Sequence, residues 1–346
     1  MEATTAKKIL GLTMGDPAGI GPELIAQYLI SQEAKTHESV VYGRRSVLQR
    51  ALELFGVERK IKTIQKPSEI ETSMDSIWVR ECGDARADEV APGEFVTAGG
   101  KLALEALRHA TQHAMSGELS AIVTGPLHKK ALNAAGVDEP GHTELLGRFC
   151  GVKEVAMMLH LPESESVAGP IGLSVVHVTL HNALRQVFDL MTFDSIVAKI
   201  QLANDFCKKL LAAKTIDRLP RIGVAALNPH GGEQGLFGKE EIEIIRPAVQ
   251  ACQVQGIDAI GPEPCDTLMR RAALGEFDAV VAMYHDQGHI ALKLLDMFET
   301  VNVTLGLPII RTSVAHGTAE EIAWQGKADT RSFHQAAKVA LEMACD

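Results

Sequence analysis

The feature that most constrains the fold is a recurring phrase: a short apolar run, a break of Gly, Pro, Asn or His, then a segment with helical period. Residues 9–14 lead into the break 15–21 and a helix from Pro22; residues 121–124 lead into Gly125-Pro126 and another helix. Residues 171–180 run to His181, with a helix from about Asn182. Residues 222–227 run to Asn228-Pro229-His230-Gly231-Gly232, and residues 279–283 to Tyr284-His285-Asp286-Gln287-Gly288. Strands that alternate with helices require a largely parallel sheet covered by helices, so the chain is expected to be α/β. Residues 162–170, with two Glu-Ser pairs, read as a solvated loop between two strands. In open sheets of this kind ligands bind beyond the carboxyl ends of the strands. The breaks are therefore where chemistry is to be sought.

Bulk properties narrow the function classes. A chain of 346 residues with 46% hydrophobic content suits two packed lobes better than one core. Its formal charge of −10 repels polyanions, which argues against nucleic acid as a partner. A small phosphorylated molecule stays open, since a few cations dominate a cleft locally. No run reaches the roughly 18 to 20 apolar residues of a membrane span, and residues 1–8 are polar with no apolar signal core. The six cysteines are dispersed without a C-x-x-C pair, the pattern of free thiols in a reducing compartment. A cytoplasmic enzyme is the expectation.

Thirteen histidines cannot all be functional, and His37, His109, His113 and His160 carry no local pattern that sets them apart. His181, His230 and His285 each end an apolar run beside loop-forming residues. Three converging imidazoles would bind a borderline divalent cation and leave positions open for substrate oxygens. His177 and His181 have the spacing of two ligands on a helix, but Val-Val-His-Val-Thr is strand-like. On a strand they stand roughly 13 Å apart, so His177 reads as structural. His285 and His289 share that spacing, but Gly288 is read as a loop before the helix, which counts against His289. The segment Gly15–Glu23 joins a strand to a helix that opens on Pro22. It is either an anion contact at a helix N-terminus or a tight turn that needs small residues, and it is not the dinucleotide G-x-G-x-x-G. Lys293, Arg311 and the loop Gly141-His142-Thr143-Glu144 offer donors for a phosphate. Asn302 interrupts a buried-looking strand and requires a partner.

Together the segments GDPAGIGPE, TGPLHK, PGHTELL, LNPHGGE, MYHDQGH and VNVTLGLPIIRTSVAHGTA resemble the 4-hydroxythreonine-4-phosphate dehydrogenase family. The stretch from His316-Gly317-Thr318-Ala319 to Ala328 also resembles the cofactor loop of isocitrate and isopropylmalate dehydrogenases. The resemblance implies their two-lobed α/β/α fold, a largely parallel sheet, and NAD or NADP held without a Rossmann motif. The lobes are expected at 1–135 plus 300–346, and at 136–299, the second carrying the metal ligands and a dimer interface. By the same resemblance His181, His230 and His285 are metal ligands for zinc, cobalt or magnesium. His142, Thr143, Lys293, Asn302 and Arg311 contact substrate, and His316, Gly317, Thr318 and Ala319 contact the cofactor. Lys293, Asp286 and Asp266 are the candidate catalytic residues. Family enzymes are homodimers with the metal site at the subunit boundary, the histidine of the MYHDQG block coming from the neighbour.

The implied reaction is oxidation of 4-hydroxythreonine 4-phosphate with decarboxylation to 3-amino-2-oxopropyl phosphate, in pyridoxal phosphate biosynthesis. The Gly15–Gly19 opening and the stretches 289–293 and 323–327 look closer to a sister branch. That branch acts on D-threonate or D-erythronate 4-phosphate in sugar-acid catabolism. Two other classes compete: phosphate acyl transfer, which needs neither the histidines nor the HGTA stretch, and a binding protein without activity, which predicts a missing ligand.

Overall fold

The computed structural model describes residues 8–71, 76–139 and 141–345. Residues 1–7 of the polar start and Pro140 of the PGHTELL segment lie outside them. In chain order the elements begin β1 (Ile9–Thr13), α1 (Gly21–Ile30), β2 (Glu38–Gly43), α2 (Arg45–Leu54), β3 (Lys60–Thr63) and β4 (Ser76–Glu81). There follow α3 (Thr97–Met115), β5 (Ala121–Thr124), α4 (Lys129–Ala134), α5 (His142–Cys150), β6 (Ala156–Leu161) and β7 (Leu173–His177). Next come α6 (Val187–Leu190), α7 (Phe193–Ala213), β8 (Arg221–Ala225), α8 (Arg246–Val254), β9 (Asp258–Glu263) and α9 (Cys265–Ala273). The chain closes with β10 (Ala279–Ala282), α10 (His285–Asp296), β11 (Val301–Leu305), β12 (Arg311–Val314) and α11 (Arg331–Met343).

The chain divides into two compact units, residues 1–155 with 307–344, and residues 156–306 with 345–346. These divisions fall later than 135/136 and 299/300, and the packing says why. Val137, with Leu145 and Leu146 of α5, joins the core formed by Leu107, Ile122 and Leu132, and Leu307 and Ile309 pack on the same cluster.

In the first unit the strands run β3-β4-β2-β1-β5-β12, and every neighbouring pair is parallel. Helices on both faces of a parallel sheet leave its central strands nothing to expose. Accordingly β5 is buried throughout and β1 at all but Ile9, which is why both were readable as apolar runs. Helix α3 passes close to α4: a Cβ on Gly100 would lie 2.0 Å from the Ala131 carbonyl oxygen.

In the second unit the order is β11-β6-β7-β10-β8-β9. The pairs β11–β6 and β6–β7 are antiparallel, and the rest are parallel. The connection 162–170 joins β6 to β7, as expected for a loop between strands. The ladder of β7 closes at His177 instead of running to Leu180, although the amides of Val178 and Thr179 still donate to the carbonyls of Ala282 and Met283. Helical structure resumes at Leu184, slightly later than Asn182. The long α7 starts on a capping box, Thr192 accepting from the Ser195 amide at 3.2 Å. The six cysteines are free, and no helix of the described residues is long and apolar enough to cross a membrane.

Strand β6 carries a buried polar pair. His160 Nδ1 lies 3.0 Å from Ser174 Oγ of β7, and its ring meets Phe206 of α7 edge-on at 5.5 Å. Burial pushes the imidazole pKa down to about 3. The unfolded chain takes up this proton near pH 6.5, whereas the folded chain refuses it until about pH 3. Stability contributed by the neutral ring is therefore complete above the unfolded value and is lost as pH falls through that window. The slope is about 1.4 kcal/mol per pH unit. Denaturant titrations at about pH 6 and about pH 4.5 should show a smaller pH dependence for His160→Gln than for the unaltered chain; equal pH dependence would refute the assignment.

Candidate functional site

In the second unit the carboxyl ends of β7, β8 and β10 carry the histidines singled out above. Helix α10 begins at His285 itself, so Gly288 lies inside the helix and not in a loop before it. The reason is tertiary. A Cβ on Gly288 would sit 2.4 Å from His177 Nε2 and 2.6 Å from Val175 Cγ1, so the helix approaches β7 too closely for any side chain there. His285 and His289 therefore share one helical face, their rings stacked at 3.7 Å between centroids. His289 is buried and its Nδ1 lies 3.1 Å from Nε2 of the fully buried His177, which makes His177 a core residue. Burial first, then neighbouring imidazoles, hold the pKa of His177 down at about 3 and of His289 at about 4, so both rings are neutral.

His285 keeps a free face. Its Nδ1 pairs with Asp286 Oδ1 at 2.6 Å, which leaves Nε2 as the available donor, the arrangement common behind metal-binding imidazoles. His181 is exposed, and its ring centroid stands 6.0 Å from that of His285 in the same chain. His230 is not brought to them. Among the described residues no three His, Cys, Asp or Glu side chains of one chain close into a group able to hold a metal. Lys293 follows two helical turns after His285, exposed, with its charge felt by His289. Asp266 is exposed in the first turn of α9.

The loop bearing His230 has an unusual backbone. His230, Gly231, Gly232, Glu233 and Gln234 all hold positive φ, between 43 and 76°. Left-handed backbone costs about 1–2 kcal/mol per non-glycine residue, so the loop needs external fixings. Buried Glu241, in the π-turn Glu241–Ile245, accepts from the amides of Leu227 at 2.9 Å and Asn228 at 2.7 Å. Its other oxygen accepts from Asn228 Nδ2 at 3.0 Å. Gln287 joins the exits of β8 and β10, accepting from the Met283 amide at 2.6 Å and donating to the Ala226 carbonyl at 2.8 Å. Sequence reasoning missed both. Gln287 lay within a quoted motif, but Glu241 gave no signal, since its partners are backbone amides.

The first unit holds the candidate anion contacts. Arg311 opens β12 with its side chain fully buried, and its Nε and Nη2 donate to Thr124 Oγ1 at 3.1 and 2.7 Å. Burial lowers its pKa to about 9, which still leaves a cation at neutral pH. His142 heads α5, followed by Thr143. Desolvation first, then the charge of Arg311, push the His142 pKa well down, so its ring is neutral. Its buried Nε2 has no partner. In the second unit Oδ1 of Asn302, on β11, is likewise buried and unpartnered. Unanswered polar atoms of this kind are what a ligand would satisfy.

The stretch 316–319 is docked on the loop after β1. Thr318 offers its carbonyl to the Ile20 amide at 3.1 Å, and Ala319 is left-handed at φ 47°. Trp324 Nε1 donates to the Pro17 carbonyl at 2.9 Å, with the Arg50 guanidinium 3.8 Å above its ring. His316 and Gly317 are exposed beside this seat. Of the two readings for Gly15–Glu23, close backbone packing accounts for the glycines. A Cβ on Gly15 would lie 2.3 Å from the Pro126 oxygen, and one on Gly21 2.1 Å from the Met14 oxygen. Buried Asp16, which caps the Ala18 amide, is raised to about 6 by desolvation.

The sequence model of the family described as pyridoxal phosphate biosynthetic protein PdxA matches residues 35–340. The D-threonate 4-phosphate dehydrogenase of Pectobacterium atrosepticum is 42% identical over 338 residues, 97% of this chain and 99% of that protein. The 4-hydroxythreonine-4-phosphate dehydrogenase of Beijerinckia indica is 41% identical over 334 residues, 96% of this chain and 94% of that protein. A crystal structure of the Klebsiella pneumoniae 4-hydroxythreonine-4-phosphate dehydrogenase superposes with a TM-score of 0.84 at 41% identity. It covers 98% of this chain and 100% of its own.

Two outcomes check this geometry. Gly288→Ala should destabilise the fold by about 1–3 kcal/mol through overpacking against His177, read by denaturant titration; an unchanged midpoint contradicts the close approach. Arg311→Met should keep the fold but raise the dissociation constant for inorganic phosphate by about tenfold or more, the value of a charged hydrogen bond. Equal phosphate binding by calorimetry removes Arg311 from the anion site.

Proposed function

The chain belongs to the PdxA family, and on that premise we propose that it is a divalent-metal- and NAD-dependent dehydrogenase of a four-carbon hydroxy-acid 4-phosphate. The observation that carries the reading is the buried Arg311 beside the unpartnered Nε2 of His142 at the head of α5. A fixed cation, a neutral imidazole and the amides of a helix start together suit a phosphate dianion. Thr143 in the first unit and Asn302 in the second are the other substrate contacts of the proposal, and residues 316–319 take the nicotinamide cofactor, NAD or NADP.

The metal reading rests on donor chemistry. His181 and His285 stand side by side with imidazole nitrogens, and Asp286 fixes the tautomer of His285. Zinc, cobalt or magnesium bound by His181, His230 and His285 would lower the pKa of the substrate hydroxyl and ease hydride loss to the nicotinamide. Lys293, Asp286 and Asp266 are the groups available to accept the hydroxyl proton and to return one to carbon after carbon dioxide leaves the resulting β-keto acid. A homodimer is part of the proposal. In its support, the three histidines do not close within one chain, and Leu184, Phe188, Ile290 and Leu294 of the same unit are exposed. Exposed large apolar side chains of this kind suit a protein interface.

D-threonate 4-phosphate is the favoured substrate. In its support, the stretches 289–293 and 323–327 look closer to the sister branch, and the Pectobacterium relative is named for that substrate. The second reading, 4-hydroxythreonine 4-phosphate giving 3-amino-2-oxopropyl phosphate, is favoured by the family description and the Beijerinckia relative's name. The two acids differ by a hydroxyl in place of an amino group. NADH formation at 340 nm should be faster with D-threonate 4-phosphate by tenfold or more (about 1.4 kcal/mol of discrimination) and should vanish with chelator. Equal activity after metal removal sinks the metal reading, and a preference for the amino acid reverses the substrate order. Mixing inactive His181→Ala and His285→Ala subunits should restore partial activity if His285 crosses to its neighbour. Recovery from His181→Ala with His230→Ala instead would assign the crossing residue as His230.

A further inference from the structure

Outside the residues already given roles, the most constrained polar group in the second unit is the carboxylate of Glu241. It is 1% exposed and has no cation against it among its hydrogen bonds. One oxygen takes two successive amides as the chain leaves β8, and the other takes the Asn228 side chain. That same oxygen would lie 2.6 Å from a Cβ on Gly232, so the carboxylate presses directly on the middle of the left-handed run 230–234. The far end of the run is closed by its own backbone, the Phe237 amide donating to the Gly232 carbonyl at 3.2 Å. A turn containing His230, Glu233 and Gln234 at positive φ does not hold this shape by propensity. The fixing comes from the π-turn that follows, a distortion that often accompanies functional sites.

We infer that Glu241 is the positioning residue for His230: its carboxylate clamps the exit of β8 and sets the left-handed loop that aims the imidazole. The inference rests on the reading of His230 as a metal ligand and adds to it a group that never touches metal or substrate. Glutamine at this position keeps one oxygen for the two amides but turns an NH2 group toward Asn228 Nδ2, donor against donor. Alanine removes the clamp altogether.

The test uses the full-length, metal-stripped protein with cobalt(II) as probe. Glu241→Ala should bind cobalt about tenfold to a hundredfold more weakly, the usual cost of losing an outer support, with an altered visible absorption band. Glu241→Gln should fall between it and the unaltered protein. Backbone hydrogen exchange in the metal-free protein should quicken across residues 227–238 and stay unchanged in α7 and α8. Cobalt affinity and spectrum identical in all three proteins overturn the proposal, as does unchanged exchange across 227–238. Should Glu241→Ala fail to fold, the same two readouts on Glu241→Gln decide. Unaltered protein that takes up no cobalt overturns the metal reading and the proposal with it, whereas failure of the proposal alone leaves normal cobalt binding in the unaltered protein.

Discussion

The three candidate metal-binding histidines each follow a strand end, and there the ladder that satisfied the backbone stops. Buried amides and carbonyls released at such ends must find other partners, because leaving one unanswered costs as much as a lost hydrogen bond. The second unit answers with side chains: Gln287 for Met283 and Ala226, Glu241 for Leu227 and Asn228, Thr179 for the Met283 carbonyl at 2.8 Å. These bonds turn three loop starts into fixed points. The exposed imidazoles of His181 and His230 can vary in rotamer, but the chain that carries them cannot drift far.

The first unit solves the same problem with absence of side chains. Gly15, Gly21 and Gly125 allow the loops after β1 and β5 to touch backbone to backbone, each with a would-be Cβ inside 3 Å of another main-chain atom. The Asp16 amide then donates to Pro126 at 3.0 Å and the Gly125 amide to Thr13 at 2.8 Å. On this platform lie the residues with unanswered polarity, His142 above all, and the buried cation Arg311. A charge held in a low-dielectric seat must interact strongly, and the bonds from Arg311 to Thr124 Oγ1 answer part of that need.

Much of this was legible in the residues. Parallel strands covered on both faces need unbroken apolar runs, so β1, β5, β8 and β10 announced themselves, and with them the loops that matter. What escaped reading shares a cause. Gly288 looked like a helix breaker because its reason for being glycine is His177, more than a hundred residues away in sequence. The helical approach to β7 decides, not local propensity. Residues 136–155 fall with the first unit and not the second because Val137, Leu145 and Leu146 pack into the core around Leu107 and Ile122, a partnership that no local pattern announces. Glu241 sits in a run of charged and apolar residues that reads as a solvated helix face. Its inward turn depends on backbone amides, which have no letter in the sequence. The roles of His181, His230 and His285 came from resemblance, since strand-end placement alone left them among thirteen.

Helix α10 places His285, His289 and Lys293 four residues apart on a single stripe, with the middle ring pinned to His177. Such a stripe acts as one lever. Any rotation or slip of the rod moves the outward imidazole and the ammonium by matched amounts, and the missing Cβ at Gly288 leaves no clearance for either motion. Adjusting one end independently of the other is mechanically forbidden.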